Sequence, residues 1–296
     1  MLALALVLLA APNQDTTVAV QRGQRLEISA QTGEIVVHTW GRSAVRVQAT
    51  GGNLGRLSID QSAAAVSIRG FSARGGPARV NFDLTVPAWM SLRLSGVNTT
   101  MRVTGAEAAV TVETVSGDVE VTGGSELVSL RSVEGAVTLA GAKGKLDVGS
   151  VNSDVTVHDV SGDLQAETVN GAVFLEKVHS DNVEANTVNG DVVYDGTIRP
   201  NGRYRFVTHN GDVTIAVPEG TSALVSVSTF QGDFESAFPV TLTERHGKRF
   251  DFTLGSGSAR IDLESFGGTI RLVRPGALPA RAPGGSGEHK DTDDQE

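Results

Sequence analysis

The chain predicts an all-β fold, a single-stranded β-solenoid with capped ends, on three observations. Apolar residues come in short bursts of strict alternation, which place successive apolar side chains on one face of a strand. A turn phrase of polar residue, glycine and often aspartate returns at near-constant spacing from Gly117 to Gly232. Aromatic residues make up only 5% of the 296 positions while glycine occurs 35 times, a balance suited to many short strands joined by tight turns. No stretch shows helical periodicity.

The first eleven residues, MLALALVLLAA, are apolar and end in small side chains. They fall short of the ~20 apolar residues that a bilayer crossing needs. Residues 1–11 therefore read as a secretory leader, although it lacks a basic start, which leaves the true initiator open. No later segment reads as a transmembrane helix. From Val18 to Ile68 the pairs Leu26/Ile28, Ile35/Val37, Val45/Val47, Leu57/Ile59 and Val66/Ile68 alternate with polar neighbours, the pattern of a half-buried sheet. Arg69 to Pro77 is a glycine-rich break. Val80, Phe82, Leu84 and Val86 then resume the alternation, and Pro87 ends it because it has no N–H for a ladder. Residues 18–80 are expected to be N-terminal coils and a cap.

Residues 81–231 hold the regular coils. Cut at the turn, 18-residue segments begin at Thr99, Gly117, Gly135 and Ser153; Gly171 opens one of 19, and Gly190 and Gly211 open two of 21. The third position holds Met101, Val119, Val137, Val155, Val173, Val192 and Val213, and the fifth holds Val103, Val121, Leu139, Val157, Leu175, Tyr194 and Ile215. The twelfth and fourteenth hold Val110/Val112, Val128/Leu130, Leu146/Val148 and Leu164/Ala166, and the seventeenth holds Val115, Val133, Val151 and Val169. Apolar columns at a fixed period mark a solenoid, in which each coil buries its face against its neighbours, so these columns are expected in the core. Coils of 18–21 residues would stack ~4.8 Å apart, with right-handed coiling as the default for parallel connections.

The position before the glycine is also a column: Asn98, Ser116, Glu134, Asn152, Asn170, Asn189, Asn210 and Gln231. Asn tolerates the left-handed conformation and Gly supplies positive φ without steric cost. Stacked amides can also hydrogen-bond from coil to coil. Gly117, Gly135, Gly171, Gly190, Gly211 and Gly232, with Asn152, Asn170, Asn189 and Asn210, are thus expected to be structural turn residues. Beyond Gly232 the register loosens and phenylalanines thicken (Phe234, Phe238, Phe250, Phe252), which suits C-terminal coils and a cap over residues 232–273. The solenoid domain is expected to span residues 12–273. From 274 to 296 the chain is Pro, Gly and charge, an acidic tail expected to be disordered.

Composition narrows the function classes. A net charge of −9 argues against nucleic acid, which needs a clustered basic surface. The absence of cysteine excludes disulfides, thiolate metal sites, cysteine nucleophiles and a lipidated cysteine. The aspartates after the turn glycine are the sharpest chemical candidates. Asp191, Asp212 and Asp233 fall in successive segments, with Asp118 and Asp154 further back. If stacked ~5 Å apart they could recruit a hard cation such as Ca²⁺. Against that, Asp beside Gly is ordinary turn chemistry, Ala136 and Ala172 interrupt the column, and the calcium-binding nonapeptide is never written. These three aspartates are weak candidates, and no metal, cofactor or catalytic residue is expected. The six histidines occupy different columns without ligand spacing, and no nucleophile-elbow, phosphate-loop or dinucleotide fingerprint occurs.

TGEIVVHTWGRSAVRVQAT (Thr32 to Thr50), VPAWMSLRLSGVN (Val86 to Asn98) and the serial SGDVEV, VNGAVFL, VNGDVVY, HNGDVTI and QGDFES resemble the DUF4097 family of bacterial adhesin-like β-strand repeat proteins, related to the head-GIN and auto-transporter-adhesin-like group. The resemblance covers Val18 to Val273. It implies an exported, extracytoplasmic β-solenoid and brings no catalytic residues. The expected function is a non-catalytic binding or scaffolding module of the cell envelope, its partner an envelope protein or a glycan, with self-association open. Two alternatives come from other classes: a polysaccharide-active β-helix enzyme, which would need a cleft lined by an Arg or Lys and two carboxylates, and an architectural envelope protein assembling end to end.

Overall fold

The computed structural model describes residues 4–9, 13–52, 54–72, 78–240, 242–246 and 249–278, and all regular structure among them is β-strand. Residues 1–3 and 10–12 around the expected leader, 73–77 of the glycine-rich break and 279–296 of the expected tail lie outside the described residues.

The N-terminal third contains β1 (Leu4–Leu9), β2 (Asn13–Ala19), β3 (Arg25–Trp40), β4 (Ala44–Thr50), β5 (Leu54–Gln61), β6 (Ala65–Ser72), β7 (Arg79–Pro87) and β8 (Ser91–Ala106). Strand β3 turns a corner: its first part runs parallel to β6, its second part parallel to β7, and β8 lies parallel beside both parts. Outside these, β5 and then β1 pair antiparallel on one side, and β4 and then β2 on the other. Two ladders therefore begin here, each ended by antiparallel strands.

The middle third contains β9 (Val110–Ser116), β10 (Val119–Gly123), β11 (Leu127–Glu134), β12 (Val137–Ala140), β13 (Lys143–Gly149), β14 (Val155–Glu167), β15 (Val173–Asn186), β16 (Val192–Gly196), β17 (Arg203–Thr208) and β18 (Val213–Ala216). The first ladder runs β8–β9–β11–β13–β14–β15–β17, parallel throughout. The second runs β8–β10–β12–β14–β15–β16–β18, also parallel. Val119, Val137, Val155, Val173, Val192 and Val213 sit rung on rung, and all are buried. Inward residues of both ladders merge into one core cluster. Removing that much branched apolar surface from water, at about 25 cal/mol per Å², is the main force holding the coils together.

The last third contains β19 (Ala223–Thr229), β20 (Phe234–Ser236), β21 (Leu242–His246), β22 (Arg249–Leu254), β23 (Ala259–Ser265) and β24 (Ile270–Val273). Here stacking order departs from chain order. β23 lies between β17 and β19, and β24 between β18 and β20. The antiparallel pair β22 and β21 then ends the first ladder. The expected succession Asp191, Asp212, Asp233 is thereby corrected: the Gly268–Thr269 rung separates Asp233 from Asp212. Ladder hydrogen bonds depend on strand direction and alternation and are indifferent to chain order. The alternating Ile261/Leu263 and Ile270/Leu272 fit between two earlier coils as well as beyond them.

A second correction concerns the seventeenth column. Val97, Val115, Val133, Val151, Val169 and Val188 are 37% to 48% exposed, outside the core. Strand alternation itself sets this: Val128, Leu130 and Ser132 face inward, which leaves Val133 outside, and Val110, Val112 and Thr114 do the same for Val115. The Ser or Thr before Val133, Val151, Val169, Val188 and His209 takes the inward place: Ser132, Ser150, Thr168, Thr187 and Thr208 donate to the carbonyls of Gly117, Gly135, Ser153, Gly171 and Gly190 at 2.8–3.1 Å. A buried hydroxyl satisfies a turn carbonyl, which leaves the valine facing solvent. On the other side of the valines, Asn170 donates to Asn152, Asn189 to Asn170 and Asn210 to Asn189 at 2.8–2.9 Å, forming the amide ladder.

The reason for glycine at this corner is corrected as well. Only Gly117 of the column has positive φ (129°). A Cβ on Gly135, Gly171, Gly190, Gly211 or Gly232 would meet the carbonyl oxygen of the rung below at 1.8–2.3 Å. Close stacking therefore selects glycine at these five rungs, while Thr99 and Ser153 take the same position at two others. The left-handed conformation belongs to the opposite corner, at Gly105, Gly123, Gly141, Asp159 and Lys177.

Candidate functional site

Strand alternation that turns Leu146, Leu164, Val183 and Tyr204 inward turns their neighbours outward on the first ladder. Across β13, β14, β15, β17 and β23 these outward side chains form two polar rows along a shallow groove of about 630 Å³. One row reads Lys145, Asp163, Asn182, Arg203, Arg260, and the other Asp147, Gln165, Glu184, Arg205, Asp262. Four cations and four carboxylates thus alternate with amides at strand spacing.

Several of these groups are already engaged. Arg260 forks onto Asp262 at 3.0 and 3.3 Å, and the hydrogen bond to that carboxylate raises its pKa. Asn182 donates to Asp163 at 2.8 Å, and Arg205 lies 3.8 Å from Glu264. At one end Arg131 donates to Asp147 at 2.5 Å and reaches across Gly149 to Glu167. A Cβ on Gly149 would strike that guanidinium, so glycine clears its path. Burial opposes the charge on Arg131, and its hydrogen bonds to Asp147 and Glu167 outweigh burial, raising its pKa. Lys145 and Arg203 make no ion pair among the described residues, so both cations are available to a ligand. The groove is open and polar, and it offers donors and acceptors in register with an extended partner.

Behind the rows, Tyr194, Tyr204 and Phe206 fill the core below the groove. Tyr204 donates to the Ser180 carbonyl at 2.9 Å, and Tyr194 donates to that of Thr197 at 3.0 Å. Burial, with Tyr204 and Asp195 nearby, pushes the Tyr194 phenol up. These rings fix the floor and present no polar atom to the groove rows.

The aspartates singled out by sequence lie on the second ladder, away from the groove. Asp191 Oδ1 accepts the Asp212 N–H at 2.8 Å, and Asp212 Oδ1 accepts the Thr269 N–H at 2.7 Å while Arg271 holds its other oxygen. Asp118 and Asp154 accept the N–H groups of Ala136 and Ala172 in the same way. The carboxylates of Asp118, Asp154, Asp191 and Asp212 thus staple one rung to the next, and the alanines that interrupt the column are among the residues so held. Among the described residues no cluster of three His, Asp or Glu side chains could hold a metal. His209 stacks on Phe266 with ring centroids 4.7 Å apart, and His289 lies outside the described residues.

The groove residues were not singled out by sequence. Their signal is the polar residues that flank one inward apolar position: Lys145 and Asp147 about Leu146, Asp163 and Gln165 about Leu164, Asn182 and Glu184 about Val183, and Arg203 and Arg205 about Tyr204. Arg260 and Asp262 flank Ile261 in the same way, but the pattern does not place them in these rows, because their strand joins by insertion.

Comparison with known proteins bears on the scaffold. No curated protein matches the chain. Among solved structures, a proposed cell adhesion protein from Clostridium sporogenes aligns over 92% of this chain and 99% of that one, at 8% identity and a TM-score of 0.23, too low for the likeness to carry an argument. The family model described as Toastrack DUF4097 matches residues 13–273, nearly the whole described stack. The repeated corner, the paired ladders and that match agree: the chain belongs to the Toastrack DUF4097 family.

Proposed function

We propose that this protein is a non-catalytic, adhesin-like binding or scaffolding module of the bacterial cell envelope, with the polar groove on the first ladder as its contact surface. The observation that carries the reading is the pair of unengaged cations, Lys145 and Arg203, within rows of donors and acceptors at strand spacing. Such rows suit an extended polar chain, either a glycan or a strand-like segment of an envelope protein, which can meet several rungs at once. The same reading takes the coils as right-handed with 18–21 residues each, residues 1–11 as an export leader and 274–296 as an acidic tail. No helix among the described residues is long and apolar enough to cross a membrane. Strand β1 would leave with the leader, exposing the edge of β5 in the mature chain.

The test is a binding screen of the exported protein against envelope glycans and proteins, repeated with Lys145→Ala/Arg203→Ala. Binding weakened about tenfold or more by the double variant, as expected for charge-assisted contacts, supports the reading. Null results across envelope material would sink it, as would binding indifferent to the substitutions.

One observation favours a second reading. Lys145, Asp147 and Asp163 line the same groove, the cation and two carboxylates that a polysaccharide-active enzyme would need. Turnover of an acidic polysaccharide, abolished by Asp163→Asn with binding retained, would replace the first reading with this one.

A further inference from the structure

The exposed valine column continues past Val188. His209 occupies the next rung, Phe266 stacks on it at 4.7 Å, and Phe230 stacks on Phe266 at 4.9 Å. Backbone hydrogen bonds tie these rungs in that order. The result is a straight ridge of nine rungs along one corner of the rod, from Val97 to Phe230. In the preceding rung the position belongs to Gln31, beside the Thr32–Asn98 pair, and the apolar run ends there.

From this ridge we infer that two copies of the chain associate side by side and antiparallel, ridge against ridge, about a two-fold axis at Val169. Three features select a second copy as the occupant. The first is pitch. Each rung is one strand spacing from the next, about 4.8 Å, and a partner can meet all nine rungs only if it repeats at the same spacing. Another copy does so by construction, and identical β-branched side chains at that spacing interdigitate as in a dry zipper. The second is area. The fractional exposures, 37–48% for the valines, 38% for Phe266 and 57% for Phe230, correspond to roughly 500 Å² of contiguous apolar surface, toward the upper end for a monomer's largest patch. With its flanking amides the ridge approaches the ~800 Å² per partner of a standard interface.

The third feature is charge layout, which sets the direction. The ridge and the amide ladder beside it carry two titratable groups, Glu134 in the third rung and His209 in the seventh. Parallel pairing would set Glu134 against Glu134 of the other copy. Antiparallel pairing about the fifth rung, Val169, sets Glu134 opposite His209 and its neighbour Asn210. The stacked rings of His209, Phe266 and Phe230 present mainly edges outward, which suits packing against aliphatic methyls of the opposite end.

The test uses the full chain. Sedimentation velocity should give twice the 30.8 kDa chain mass. Val151→Lys with Val169→Lys should raise the dimer dissociation constant about tenfold or more by like-charge contact. Measured at concentrations where both proteins are monomeric, their melting temperature should match the parent's, because in the single chain both side chains face solvent. A monomer at every soluble concentration, or a dimer indifferent to the two lysines, overturns the inference. Direction is read by cysteine pairing, since the chain has no native cysteine. Under oxidation Val169→Cys should cross-link to itself. Val115→Cys should cross-link to Phe266→Cys of the other copy and not to itself. Self-linking at every rung would mean a parallel pair and would overturn the antiparallel arrangement.

Discussion

The two corners of each coil both use glycine, for different physical reasons. At the corner carrying the amide ladder, Gly135, Gly171, Gly190 and Gly211 stack so closely that a Cβ would enter the carbonyl oxygen of the rung below, though none of the four has positive φ. At the opposite corner Gly105, Gly123 and Gly141 adopt φ of 65–94°, and Asp159 and Lys177 continue the column at 54° and 51° with side chains in place. The first corner is limited by contact between coils. At the second, strain within a residue is the common limit, alone at Gly141 and joined by contact at Gly105 and Gly123, where a Cβ would come 2.5 Å from Thr39 Oγ1 and 2.4 Å from the Ala106 carbonyl oxygen. Residue type alone does not distinguish them, and substitution tolerance does.

The largest expected effect tests that difference directly. Gly190→Ala places a Cβ 2.0 Å from the Gly171 oxygen and should cost about 3 kcal/mol or more, since backbone must shift. Gly141→Ala meets nothing nearer than 3.9 Å and should cost only the left-handed penalty, about 1–2 kcal/mol. Urea midpoints of the two variants decide it, and equal losses would erase the distinction.

Next comes the hydroxyl that holds the first corner. Thr168→Val removes the 2.8 Å bond to the Ser153 carbonyl while keeping shape, and should cost about 1–2 kcal/mol. A change near zero in chemical denaturation would mean that the inward Ser/Thr column merely fills space. At the second corner the sign reverses. Lys177→Gly relieves a positive φ on an exposed side chain and should gain about 0.5–1 kcal/mol after the entropy cost of glycine. A measured loss would show that Lys177 contributes more than strain. The smallest effect belongs to the aspartate staples. Asp154→Asn keeps an oxygen for the Ala172 N–H and should change stability by under about 0.5 kcal/mol, whereas Asp154→Ala should cost about 1 kcal/mol. A large, calcium-dependent shift in melting for either variant would contradict the staple role.

These corners also show where reading from sequence stops. The third, fifth, twelfth and fourteenth columns are legible because strand alternation has a period of two, and Val119, Val121, Val128 and Leu130 are buried accordingly. Val133 recurs with the same period and is exposed, because the alternation that turns Val128 and Leu130 inward turns Ser132 inward next. The groove was partly visible as polar and charged residues on either side of Leu146, Leu164, Val183 and Tyr204. Its completion by Arg260 and Asp262 was hidden, because β23 enters between strands that precede it in the chain.

By itself the sequence determined the class of fold, the length of the repeat phrase and which residues form the apolar columns, since each follows from local alternation and turn chemistry. The tertiary structure alone decided two things: the order of the last coils and why each corner needs its glycine. Each depends on what lies one rung away, and parallel ladders bring residues into contact without regard to their distance along the chain.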